Sequence, residues 1–485
     1  MTETPPPQTL DEKINEVITI NEVVRFDRQQ RIWGAEGQKK LQKGRVSIVS
    51  AGPLGEYIAL SLVALGVGEV RVFSTPEATS PKFIGTVCPN GINDIAQKLN
   101  CINPTSRIPI LPIEFCTKLP CSVLSDSHII IDATNNPTSK AIVHQYAQDN
   151  HISSISASVS MTSAAYVARN QEDPADERHI LYLFKEKLQD PIISLFWAGV
   201  IAEETKKLLL GEQIYLSPLN YTKGTRERFV ANETEAQPIN RQLLHQKRVL
   251  VVGAGAESNI AAIALAHSGV GSIVYMDNDT VESTNLNRQV LFDDCIGLPK
   301  ATALASKHIS MNPEVQATGQ VKLFEIKNKH YTPDTEEEGF DLVFDLVDNV
   351  YARAVIAAYA VQRKIPLVSA GCSPDSAQAI VYVPGKTACP NHVFSGYYEK
   401  GLADEKERRK SCIREPDPSV IMTNMIGGSL AVLEGLRILE LNQGEILNGI
   451  LSYKSAGTPR LTQTILQDIC DCHSYPERVP DMELP

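Results

Sequence analysis

Arg248-Val249-Leu250-Val251-Val252-Gly253-Ala254-Gly255-Ala256-Glu257-Ser258 decides the fold. A short apolar run rich in valine meets a glycine turn, an alanine-rich stretch follows, and a second apolar run, Ser272-Ile273-Val274-Tyr275-Met276, comes next. The pattern reads as strand, turn, helix, strand, a βαβ unit. Repeated, such units build an open, mostly parallel sheet with helices on both faces.

The same stretch recurs about two hundred residues earlier as Arg45-Val46-Ser47-Ile48-Val49-Ser50-Ala51-Gly52-Pro53-Leu54-Gly55. Three further matches keep the order: Gly66-Val67-Gly68 with Gly269-Val270-Gly271, Ile102-Asn103-Pro104 with Met311-Asn312-Pro313, and Ile130-Ile131-Asp132-Ala133-Thr134-Asn135-Asn136 with Val343-Phe344-Asp345-Leu346-Val347-Asp348-Asn349. A duplicated fold follows, which the 485-residue length allows. The expected layout is an N-terminal extension over 1–21, a first α/β domain over 22–216, a polar connection over 217–238, a second α/β domain over 239–473 and a tail over 474–485. The expected fold class is two tandem Rossmann-like domains packed as a pseudo-dimer within one chain.

A net charge of −11 argues against a general affinity for nucleic acid. No apolar run reaches the length of a membrane span and the start lacks a signal peptide's features, so a cytoplasmic protein with no membrane partner is expected. Ten cysteines scattered over the chain fit a reducing compartment.

The copies differ where chemistry would sit. The second has Asp277-Asn278-Asp279 after its second strand, where the first has Ser74-Thr75-Pro76, and Asp348 faces Asn135. The first half is therefore expected not to turn over a nucleotide. In the second, Gly253-Ala254-Gly255 before a helix places backbone N–H groups against phosphate oxygens. The turn alone is shared with nicotinamide enzymes, and Glu257 and Ser258 depart from its usual form. Downstream come Thr284-Asn285-Leu286-Asn287-Arg288-Gln289, then Ile296-Gly297-Leu298-Pro299-Lys300-Ala301, then Asp345-Leu346-Val347-Asp348-Asn349 and Arg353.

This series resembles the ubiquitin-activating enzymes and the bacterial MoeB and ThiF type adenylyltransferases, over roughly residues 22 to 473. The resemblance implies ATP and magnesium as cofactors and a ubiquitin-like protein as partner. The glycine turn at Gly253 and Gly255 would face the phosphates, Asp277 would bind the ribose with Asp279 beside it, and Asn285, Arg288, Gln289 and Lys300 would line the phosphate site. Asp348, with Asn349 next to it, would hold magnesium. In the first half, Val24-Arg25-Phe26-Asp27-Arg28-Gln29-Gln30-Arg31-Ile32-Trp33-Gly34 resembles the family's opening motif, which implies that Arg28 reaches the second half's site as an arginine finger, with Arg25 and Arg31 as alternatives. The chemistry is consistent: a carboxylate attacking the α-phosphorus is already ionised at neutral pH, so it needs charge neutralisation and alignment.

Lys410-Ser411-Cys412-Ile413-Arg414-Glu415-Pro416 precedes a long apolar stretch from Val420 to Leu441. The family places an acyl-accepting cysteine here, and the flanking cations Arg408, Arg409, Lys410 and Arg414 favour a thiolate. Cys412 is thus the expected thioester site, and a conjugating enzyme the expected recipient. Many relatives bind structural zinc through two Cys-x-x-Cys pairs; the corresponding places read Cys389-Pro390-Asn391-His392 and Cys470-Asp471-Cys472-His473. A zinc set of Cys389, His392, Cys470 and His473 is expected, with Cys472 the alternative to His473. The competing readings are sulfur-carrier adenylylation of the MoeB/ThiF type, a nicotinamide-dependent oxidoreductase, and a binding scaffold without catalysis.

Overall fold

The computed structural model of the protein describes residues 10–50, 52–74, 92–111, 121–171, 188–215, 219–223, 226–230, 240–327, 330–331, 339–394, 400–401, 403, 417–440, 445–458, 460–467 and 469. The first half opens with helix α1 (Leu10–Gln42), broken at Gly34, whose φ of 69° leaves the helical region. It continues through β1 (Arg45–Ser50), α2 (Pro53–Leu65), β2 (Glu69–Ser74), α3 (Ile92–Ile102), β3 (Ile110–Leu111), β4 (Ile129–Ala133), α4 (Pro137–Asp149), β5 (Ser153–Val159), β6 (Ser163–Arg169), α5 (Pro191–Leu210) and β7 (Leu219–Thr222). These strands form one sheet in the order β3-β2-β1-β4-β5-β6-β7. It is parallel from β3 to β5, and β6 and β7 add antiparallel at the edge.

The second half repeats the plan: α6 (Arg241–His245), β8 (Arg248–Val252), α7 (Ala256–Ser268), β9 (Ser272–Met276), α8 (Lys300–Met311), β10 (Gln316–Gln320), the small hairpin of β11 (Ile326–Lys327) and β12 (His330–Tyr331), β13 (Leu342–Asp345), α9 (Val350–Arg363), β14 (Leu367–Cys372), β15 (Ser376–Tyr382), α10 (Pro390–Val393), α11 (Ile421–Leu439), β16 (Gly449–Lys454) and β17 (Leu461–Ile465). The order β10-β9-β8-β13-β14-β15-β16-β17 matches the first sheet strand for strand and adds one at the far edge. The two tandem Rossmann-like sheets expected from the repeat are present.

The decisive strand β8 is apolar on both faces because both are covered. Val249 and Val251 join the large core that contains Ile260 and Leu430, while Leu250 and Val252 turn to the other face, against Val343 and the α9 residues Val355 and Ile356. Between the two sheets, α2 and α5 of the first half meet α7 and α11 of the second, with α5 against α11 at the centre. The crossing is close. A Cβ on Gly199 of α5 would sit 2.7 Å from the Met422 carbonyl of α11, so only glycine fits.

Two reciprocal ion pairs lock this interface. Arg228, following β7, donates to Glu434 of α11 through Nε at 3.1 Å and Nη2 at 3.3 Å. Arg460, entering β17, pairs with Glu204 of α5. Each half thus grips the other's central helix with a buried arginine. The stretch expected to be a plain connection, 217–238, is therefore more than that: residues 219–222 pair with β6, and Arg228 is fully buried. Its polar composition hid the strand because the arginine serves the interface instead of solvent. No described helix is long and apolar enough to cross a membrane.

Candidate active site at the second switch point

The chain leaves β8 for β9 on one side, and β13 lies on the other, so a crevice opens beyond the carboxyl ends of β8 and β13. Gly253 takes φ 94° there, and a Cβ would meet the Leu346 carbonyl oxygen at 2.6 Å. Gly255 caps α7 without a side-chain hydrogen bond, so the first-turn N–H groups of a thirteen-residue helix stay free of side-chain caps.

Asp277 follows β9 and braces this turn. Its Oδ2 accepts from Ala254 N–H at 2.6 Å and its Oδ1 from Asp279 N–H at 2.8 Å. Burial pushes its carboxyl up, against the pull of those two donors. Lys300, the first residue of α8, donates to Asp279 Oδ2 at 2.9 Å. A cation at a helix N-terminus opposes the helix dipole unless anions surround it.

The Asn-Leu-Asn-Arg-Gln string lies on and just after a short 3₁₀ turn over Ser283–Asn285, which α1 packs against. Asn285 Oδ1 accepts from Glu282 N–H at 3.0 Å, so its oxygen shapes the loop and only its amide nitrogen remains for a ligand. Arg288 donates through Nη1 to Thr284 O and Asn287 Oδ1, both at 2.8 Å. Gln289 is buried with its Oε1 unpartnered among the described residues. Asn349 caps α9 by accepting from Ala352 N–H at 2.8 Å, while Asp348 beside it is exposed.

Of the three arginines of the opening motif, Arg25 donates to the Ile102 carbonyl and Arg31 to Asp27 at 3.1 Å, both within the first half. Arg28 crosses to the second half and donates to Asp417 O at 3.2 Å, with its Nε buried and unpartnered among the described residues. Arg288 is pushed down to about 10, chiefly by burial and next by the Arg28 charge, with Asp348 pulling the other way. Arg288 thus feels a like charge from the first half and the opposing carboxylates of Asp348, Asp27 and Glu282.

Sequence reasoning missed a buried group behind the turn. Glu257 accepts from the Cys372 thiol at 2.7 Å, and burial pushes its carboxyl up. The same burial, reinforced by Glu257, pushes the Cys372 thiol far from ionisation, which is the wrong direction for a nucleophile. Gly427 and Gly428 of α11 make the room: a Cβ on Gly427 would lie 2.5 Å from Cys372 Sγ. A glycine pair inside an apolar helix was the signal. Nearby, Asp345 accepts from Ser369 Oγ at 2.6 Å and lies 3.5 Å from Arg353.

The corresponding crevice of the first half is filled by its own side chains. Gln189 Oε1 accepts from Leu54 N–H in the first turn of α2 at 3.1 Å, and its Nε2 donates to Ala133 O at 3.1 Å. Asn135, in the place of Asp348, is clamped to Val159 through Nδ2 at 2.7 Å. Cys389 Sγ and His392 Nδ1 lie 3.3 Å apart, as one half of a metal pair would. Cys412, Cys470, Cys472 and His473 lie outside the described residues, and no group of three or more metal-ligating side chains occurs among those described.

Residues 227–468 match the ThiF family. The chain is 36% identical over 135 residues to the tRNA threonylcarbamoyladenosine dehydratase of Escherichia coli K12, covering 27% of this chain and 48% of that protein. It is 30% identical over 235 residues to ubiquitin-like modifier-activating enzyme 5 of Arabidopsis thaliana, covering 44% and 52%. It is 31% identical over 229 residues to the SAMP-activating enzyme E1 of Haloferax volcanii, covering 46% and 77%. The chain spans about half the length of the first two.

Proposed function

Because this chain belongs to the ThiF family, we propose that it activates the C-terminal carboxylate of a ubiquitin-like protein with ATP and then captures the acyl group on Cys412. The observation that carries the reading is that Arg28 of the first half crosses to the second, donating to Asp417 O, and that its charge and that of Asp348 are both felt by the buried Arg288. Holding two guanidiniums together is costly unless an anion joins them. The carboxylates of Asp27, Glu282 and Asp348 offset part of that cost, and a triphosphate bound along the N-terminus of α7 offsets the rest.

In the first step the ionised carboxylate of the partner attacks the α-phosphorus and the bond to pyrophosphate breaks, leaving an acyl adenylate. Arg28, Arg288 and Lys300 neutralise the charge that spreads over the phosphoryl oxygens, and Asp277 orients the ribose. Asp348 is the residue to hold magnesium, which would supply further neutralisation of the phosphates when bound. In the second step the Cys412 thiolate attacks the acyl carbon and AMP leaves, giving a thioester that a conjugating enzyme can accept. Cys372 is excluded from that task by its protonated, Glu257-bound thiol. A structural zinc held by Cys389 and His392 with Cys470 and His473, or Cys472, completes the reading.

The test is exchange of labelled pyrophosphate into ATP in the presence of a small protein ending in glycine. Asp348→Ala is expected to abolish exchange, while Cys412→Ala spares exchange and stops formation of a thiol-sensitive adduct. Thiocarboxylate as the sole product would place the protein with sulfur-carrier adenylylation, and tight NADH binding without exchange would overturn the reading. The acidic balance of −11 weighs against a polyanion such as tRNA as substrate.

A further inference from the structure

We propose that Gln29 of the first half is a positioning residue for Arg288 of the second, acting through Asn287; the inference rests on the adenylation reading above. Gln29 is fully buried and lies next to Arg28 in the chain. Its Nε2 donates to Leu65 O at 2.8 Å and to Gln38 Oε1 at 2.7 Å, and its Oε1 accepts from Asn287 Nδ2 at 3.0 Å. Asn287, also fully buried, accepts in turn from Arg288 Nη1 at 2.8 Å.

The direction of this chain is forced at both ends. A guanidinium can only donate, so Asn287 must turn its oxygen to Arg288 and its nitrogen to Gln29. A backbone carbonyl can only accept, so Gln29 must turn its nitrogen to Leu65 and its oxygen to Asn287. Every bond is then donated in one direction, from the arginine's anchored nitrogen through Asn287 and Gln29 to the Leu65 carbonyl of the first half's α2. A second acceptor, Thr284 O at 2.8 Å, pins the same Nη1. Among the described residues the Nε and Nη2 donors make no hydrogen bond, and the anchored nitrogen restricts where they can turn.

The anchor matters because the Gln29–Asn287 bond brings the neighbours of the two residues, Arg28 and Arg288, to the same place, and repulsion between the two cations favours rotamers that carry Arg288 away. Gln29 and Arg28 are consecutive, so one turn of α1 both delivers the repelling cation and holds the repelled one in place. Trp33 Nε1 and Leu65 O fix Gln38, which fixes Gln29, so the relay begins in a rigid packed layer.

The experiment is calorimetric titration of the full chain with ATP and, separately, with adenosine. Gln29→Met keeps the volume and removes the acceptor; it is expected to weaken ATP binding about tenfold, the order of one lost charge-assisted hydrogen bond, and to leave adenosine binding unchanged. In an Arg288→Ala background the same substitution is expected to add no further loss. Asn287→Ala breaks the relay at its other link and should reproduce the ATP-specific loss, which keeps the inference testable if Gln29→Met does not fold. Equal losses for ATP and adenosine, unchanged ATP affinity, or a loss that persists without Arg288 would each overturn the relay. A wild-type chain that binds neither ligand would instead overturn the adenylation reading itself.

Discussion

Arg28 is half-buried, its one hydrogen bond among the described residues is to the carbonyl of Asp417, and burial together with the Arg31 charge lowers its pKa. The charges of Asp27, Glu282 and Asp417 favour its protonated form, but no carboxylate is hydrogen-bonded to it among the described residues. Its removal is therefore a test of function more than of folding. Arg28→Ala in the full chain is expected to lower pyrophosphate exchange by about 10²-fold, the scale of one donor lost from a site of developing charge. The thermal midpoint should move little, and a large drop in the midpoint instead would mark Arg28 as structural. The motif was legible in the sequence, and the resemblance put Arg28 first with Arg25 and Arg31 as alternatives, because the three lie within two turns of one helix. In the structure Arg25 and Arg31 bond within the first half, to Ile102 and Asp27, while Arg28 reaches Asp417 of the second.

Helix α11 shows what an element does here beyond filling space. Its Gly427-Gly428 pair admits Glu257, and one turn and a half later Glu434 receives Arg228 from the first half and Arg437 from its own helix. Burial opposes ionisation of Glu434, but Arg437 and Arg228 outweigh it and hold the carboxyl below the ordinary range. A depressed folded-state pKa contributes stability that is present above the unfolded value and lost as pH falls through the folded one. Glu434→Gln leaves two buried arginines without their anion and is expected to cost about 3–5 kcal/mol at pH 7. Denaturant titrations should show the gap narrowing as pH drops below about 4, where the unfolded carboxyl of the native chain also binds its proton. A gap that is constant with pH would mean the carboxylate charge is not what Arg228 and Arg437 need.

The two halves are one fold used twice with opposite outcomes. In the second, the turn between β8 and α7 has no side-chain cap at Gly255; in the first, Gln189 lies across the crevice between β1 and β4 and takes the N–H of Leu54. On the proposed reading, one nucleotide per chain is expected. Calorimetry with ATP is expected to give a stoichiometry near one, unchanged by Gln189→Ala because Asn135 and Ser74 still stand where Asp348 and Asp277 would be needed. A second ATP bound to the wild-type chain would contradict the closed first crevice. The reciprocal pairs Arg228 with Glu434 and Arg460 with Glu204 hold the halves in the one register that brings Arg28 to Arg288.

Much of this was determined by the sequence alone. The run from Arg248 to Val252, its echo at Arg45 and the loss of Asp277 and Asp348 from the first copy are local patterns, and local patterns dictate strands, turns and the presence or absence of a charge. The tertiary structure decided the rest. Residues 219–222 became a strand because β6 offered an open edge, Glu257 went under α11 because two glycines left room, and Gln189 reached Leu54 from more than a hundred residues away. Each depends on which neighbours the packed halves bring together, and such contacts leave no period or spacing in the chain.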